Sequence, residues 1–212
     1  MKNTQNTTKY KSIELFLLFF ALPVFLATSI SNYIKLPIAI IGIIYVAILL
    51  VKAKQWKTQI IGSNTRKKFW IRLIVLSLLI LVLGIVILMR FDPSLLFKMP
   101  RTKPLVWISI LFIYSFLSAL PQELVYRKFF FMRYENLFSN RKLFLFLNVL
   151  CFSLCHLFLK NLWVIIITLL GGILFTYTYE KIRSVKWVFL EHSTYGYLVF
   201  TVGLGTMLAF PE

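Results

Sequence analysis

Acidic residues are scarce in this chain: 7 Asp and Glu stand against 24 Lys and Arg in 212 residues, a formal net charge of +17. Histidine is scarcer, with two copies, and cysteine is confined to Cys151 and Cys155. Two cysteines four residues apart in one apolar run exclude a disulfide framework and a four-ligand thiolate metal site. They read as small buried residues. Long polar stretches are also missing. The largest, Lys52 to Lys68, is too short to fold by itself, so no soluble domain is expected. No low-complexity segment and no clear internal repeat is visible.

Hydrocarbon is what the chain has in quantity, at 59% hydrophobic residues. Apolar runs alternate with clusters of Lys and Arg, and runs of about 20 residues span a bilayer core of roughly 30 Å. In a soluble protein such basicity would point to nucleic acid. Here the cations lie between the runs, so they set topology and meet anionic headgroups, and no nucleic-acid partner is expected. The expected fold is all-α: a multi-pass transmembrane helical bundle of about seven helices, over 13–31, 34–51, 69–89, 105–134, 142–159, 161–179 and 187–209. The first run is long, contains Pro23 and lacks a small-x-small cleavage site, so it reads as an uncleaved span rather than a signal peptide.

With the N-terminus inside, 18 of the 24 basic residues fall on the inner side. That bias predicts a cell-membrane protein with a cytoplasmic N-terminus and an external C-terminus. The fourth span carries Pro121 at its middle, which should kink it. Gln122, Glu123 and Arg127 follow at once, where lipid is expected, and intramembrane polar groups are functional candidates by default. Glu123 lies 17 residues before Asn140 and His156 lies 16 after it. If both arms are helical, each sits about 24 Å from the turn, at matching depth. Glu191 and His192, in the last span, sit roughly 12–15 Å past the basic turn at Arg183.

Glu123 and Arg127 are i and i+4, so the guanidinium can balance the carboxylate. Phe152 and His156 have the same spacing on the facing arm, and His192 adds the second imidazole. One carboxylate and two histidines suffice to activate water and stabilise an oxyanion, or to bind zinc, although no HExxH is present. Structural readings stand beside each: an ion pair at a kink for Glu123 and Arg127, a carbonyl-bonded ring for His156, an interfacial residue for His192. Gly171-Gly172 reads as close helix packing.

The run Gln122-Glu123-Leu124-Val125-Tyr126-Arg127 resembles the EExxxR motif of the CAAX protease and bacteriocin-processing (CPBP/Abi) family. Phe152 to His156 resembles that family's FxxxH motif, and His192 to Gly196 its HxxxN-like motif. The likeness covers roughly residues 104–205 and implies two parts: three membrane-anchoring helices over 1–103, and a CAAX-protease-like membrane domain over 104–212, in the last four helices. It implies an intramembrane endopeptidase, of the glutamate type or metal-dependent, acting on a membrane-associated peptide or protein. Catalytic residues would be Glu123, Arg127, His156 and His192: His156 activates water, His192 donates to the oxyanion, and Glu123 and Arg127 support. No cofactor is expected; zinc held by Glu123, His156 and His192 is the alternative.

Two positions depart from the pattern. Gln122 replaces the first glutamate, and a glutamine cannot serve as a general base; Gly196 replaces the asparagine. Gln122, Glu191 and Tyr195 are the auxiliary candidates, with Ser193 a further donor in place of the asparagine. These departures keep open a second function, a pseudoprotease acting in binding, bacteriocin immunity or regulation. A proton-relay transporter is a third reading, without an inverted repeat to support it.

Overall fold

The computed structural model describes residues 2–53 and 61–205, with side chains from residue 7 onward. It is all-α, with no strand among the described residues, as the long apolar runs predict. Among the described residues eight helices follow one another: α1 Thr7–Ala27, α2 Asn32–Ala53, α3 Ser63–Phe91, the short α4 Lys98–Thr102, α5 Pro104–Leu137, α6 Arg141–Leu154, α7 Leu162–Ile182 and α8 Val185–Val202. Six of the described segments are long and apolar enough to cross a membrane, namely α1, α2, α3, α5, α6 with its extension to Leu159, and α7.

The seventh expected span differs. Its described part is the 18-residue α8, which is not among those six. The run from Glu191 through Tyr197 lowers its apolar content, and residues 206–209 of the expected span lie outside the described residues.

Pro121 does not simply break its helix. A π-helical turn, Tyr114–Ala119, precedes it, and Leu120 N–H bonds the Ser115 carbonyl five residues back. One α-turn, Leu120–Glu123, follows, and then a second π stretch, Leu124–Phe129. The same device precedes Pro23: Leu17–Ala21 is π-helical, with Leu22 N–H on the Leu17 carbonyl. A proline lacks the N–H for an i−4 bond and its ring crowds that carbonyl. A wider turn just upstream relieves the crowding while keeping neighbouring N–H groups bonded, as an apolar surrounding requires.

The chain forms two compact units. The first joins residues 1–57 to 124–177; the second joins 58–123 to 178–212. Each combines a piece before residue 104 with a piece after it.

In the first unit, Phe19 of α1 is 1% exposed and packs edge-on to Tyr126, Phe130 and Tyr134, at centroid distances of 5.4, 5.0 and 5.8 Å. Glu14 accepts both guanidinium bonds of Arg133, at 2.9 and 2.7 Å, and the hydroxyls of Tyr134 and Tyr45, each at 2.8 Å. Four donors on one buried carboxylate satisfy its lone pairs and clamp α1 to the end of α5. Gly172 lets α7 close on α6, because a Cβ there would lie 3.3 Å from Phe152 and Val149 side chains. Gly171 would meet its own helix's Phe175 instead.

In the second unit, α3 and α8 meet at Gly84, where a Cβ would approach Val202 to 3.0 Å. Gly203 caps α8 with φ 112°, a conformation that favours glycine, and Phe97 N–H bonds the Val202 carbonyl at 2.9 Å beside it.

Candidate active site

Glu123 closes the α-turn after Pro121 and is 0% exposed; His192 on α8 is 6% exposed. Both belong to the second unit, and His192 Nδ1 lies 2.7 Å from Glu123 Oε1. With the Nδ1–H donating to the carboxylate, Nε2 becomes the working nitrogen: a base when neutral, an N–H donor when protonated. Tyr114, the first residue of the π turn, packs edge-on to His192 at 5.9 Å and to Phe200 at 5.3 Å.

The auxiliary candidates divide. Gln122 Nε2 donates to Ser118 Oγ at 3.0 Å, while its Oε1 is buried without a partner among the described residues. Glu191 is 0% exposed and faces a separate cluster. It accepts from Arg72 Nη2 at 2.9 Å, Thr178 Oγ1 at 2.5 Å and Tyr195 Oη at 3.2 Å, and Arg72 also donates to Thr178. Tyr195 therefore spends its hydroxyl on Glu191. Arg72 reads from sequence as a topology cation; its place on Glu191 is a second role that charge counting does not reveal.

In the first unit, Arg127 is 0% exposed. Its Nη1 donates to Asn148 Oδ1 at 2.8 Å and reaches the Tyr126 carbonyl at 3.4 Å, and its guanidinium lies 4.9 Å from the centre of the Phe152 ring. Asn148 also donates to the Tyr126 carbonyl at 2.6 Å and accepts from Thr176 Oγ1 at 2.9 Å. Asn148 is absent from the sequence-level site, yet a signal exists: it is the one amide in the apolar run of α6, four residues before Phe152 and eight before His156.

His156 departs from the expected helical arm. α6 stops at Leu154, and His156 sits at φ −95°, ψ 0°, in the sparsely populated bridge region before a 3₁₀ turn. Its Nδ1 lies 2.9 Å from the Phe152 carbonyl, which can only accept, so Nδ1 carries the hydrogen and Nε2 is the ring's basic nitrogen. Cys155 Sγ lies 3.2 Å from the same Nδ1. Among the described residues, no three His, Cys, Asp or Glu side chains are grouped to hold a metal ion.

Residues 104–198 match the family model described as type II CAAX prenyl endopeptidase Rce1-like. Over this segment the chain is similar to the CAAX protease (CPBP) family, and six of its described segments are long and apolar enough to cross a membrane. No curated protein and no solved structure matches the chain.

Proposed function

We propose that this protein is an intramembrane endopeptidase that hydrolyses peptide bonds of a membrane-associated peptide or protein. The observation that carries the reading is the 2.7 Å Glu123–His192 pair inside the family-matched segment. A buried carboxylate on Nδ1 fixes the imidazole's tautomer and orientation and leaves Nε2 to meet a developing oxyanion, to which it donates when it carries the proton. Glu123 therefore acts through His192 rather than as the base. His156 takes the water-activating role by its place in the FxxxH motif, and its Nδ1 bond to a carbonyl keeps Nε2 basic. Water adds to the scissile carbonyl carbon as a proton passes to the base. The tetrahedral intermediate then collapses, expelling the amine with that proton. Arg127, held by Asn148, is a positioning residue. The basic clusters favour a cell membrane with the N-terminus cytoplasmic.

The second reading, a binding or immunity protein without hydrolysis, draws on Gln122, whose carboxamide stands where the family motif has a carboxylate. Purified protein in liposomes, given membrane-anchored peptides, separates the two. Hydrolysis should fall at least about 100-fold in Glu123→Gln, His156→Ala and His192→Ala. Activity retained in all three variants defeats the hydrolase reading. A phenotype in cells that survives loss of His156 supports the second. Insensitivity to chelator is expected, and loss restored by zinc would revive the metal alternative.

A further inference from the structure

An oxyanion needs more than one donor, and His192 supplies one. One helical turn along the same face of α8 stands Gly196, with no side chain to offer. The space over Gly196 is not empty. A Cβ built there would fall onto the Tyr114 hydroxyl and the adjoining ring carbons Cζ and Cε1. The phenol thus fills the volume that any side chain at position 196 would need, and its ring edge packs on His192. Tyr114 is reached from α5 because the π turn begins at this residue and re-aims it relative to a regular α-helix. Among the described residues its hydroxyl makes no hydrogen bond, so the O–H is available to a ligand. The two residues expected from sequence to replace the missing donor fare differently: Tyr195 is engaged by Glu191, and Ser193 Oγ is buried without a partner among the described residues.

We infer that Tyr114 is a catalytic residue of this site, donating its phenolic O–H to the oxyanion beside His192, and that Gly196 is glycine to admit it. The inference rests on the hydrolase reading above and adds a residue to it.

Tyr114→Phe removes one oxygen and keeps the ring that packs on His192 and Phe200. In the liposome assay it should lower kcat by about 10²–10³-fold and leave KM within twofold, as losing one oxyanion donor does. Tyr114→Ala with Gly196→Asn, which moves the donor to α8, should recover at least tenfold over Tyr114→Ala. A Tyr114→Phe enzyme within twofold of wild type overturns the assignment while proteolysis stands, as does a loss carried by KM alone. No recovery in a double variant that melts with wild type also overturns it. Wild-type protein that cuts no peptide defeats the hydrolase reading itself, which is a different result.

Discussion

Asn148→Ala removes the amide that holds Arg127 in the first unit. Three hydrogen bonds go with it: from Arg127 Nη1, from Thr176 Oγ1, and to the Tyr126 carbonyl. All of these groups belong to buried residues, so each loss leaves a polar atom without water to replace its partner. An orphaned buried group costs about 1–3 kcal/mol, more when charged. Partial compensation is at hand, because Arg127 Nη1 keeps its 3.4 Å approach to the Tyr126 carbonyl. Measured hydrogen bonds in membrane proteins also fall near the low end of the soluble range. The expected loss is therefore roughly 2–4 kcal/mol, or a melting temperature lower by about 5–15 °C for a protein of this size. Asn148→Asp keeps an acceptor opposite Arg127 and forfeits only the donor to Tyr126, so it should lose less than Asn148→Ala. Thermal unfolding in detergent, followed by monodispersity, reads both. A shift under about 2 °C for Asn148→Ala would refute the claim that this amide anchors Arg127.

Glu14→Gln should cost about 1–2 kcal/mol, since the bidentate Arg133 pair is lost while Arg133, with a side chain 23% exposed, still reaches water; equal unfolding of variant and wild type would count against the clamp. The two adjacent glycines should separate cleanly in the same assay. Gly171→Ala sets a Cβ 3.2 Å from the Phe175 ring of its own helix, whose small shift offsets the gain through the unfolded state, so the net change should stay within about 1 kcal/mol, whereas Gly172→Leu should lose about 1–3 kcal/mol by driving α7 off α6. Equal effects at both positions would contradict the close approach at Gly172.

The helical architecture was legible because bilayer length is a strict requirement and apolar runs report it directly. The helices over 32–53 and 63–91 bracket the expected spans 34–51 and 69–89, and the helix over 162–182 follows the expected 161–179 within three residues at each end. Less legible was α8, whose polar face interrupts the run that a span would need. Proline positions announced a disturbance, but a kink and a π-helical turn satisfy the same constraint, and residue type does not choose between them. Glu123 and His192 stood out as intramembrane polar groups, while their direct pairing is a tertiary fact, set by how α5 and α8 pack. Tyr114 was invisible for a different reason. Among ten tyrosines, nothing in its neighbours marks the one whose hydroxyl covers a glycine on another helix. Glu14 was overlooked because it stands at the very start of the first expected span, 13–31, though a lone acid beside a basic terminus is a candidate for a buried pair.

The measurement that bears most directly on the central claim is a double-mutant cycle on Glu123 and His192, read as single-turnover peptide cleavage in liposomes. If the pair works as a unit through its 2.7 Å hydrogen bond, Glu123→Gln with His192→Ala should be no slower than His192→Ala by itself. Losses that multiply in the double variant would show two independent groups and contradict the account.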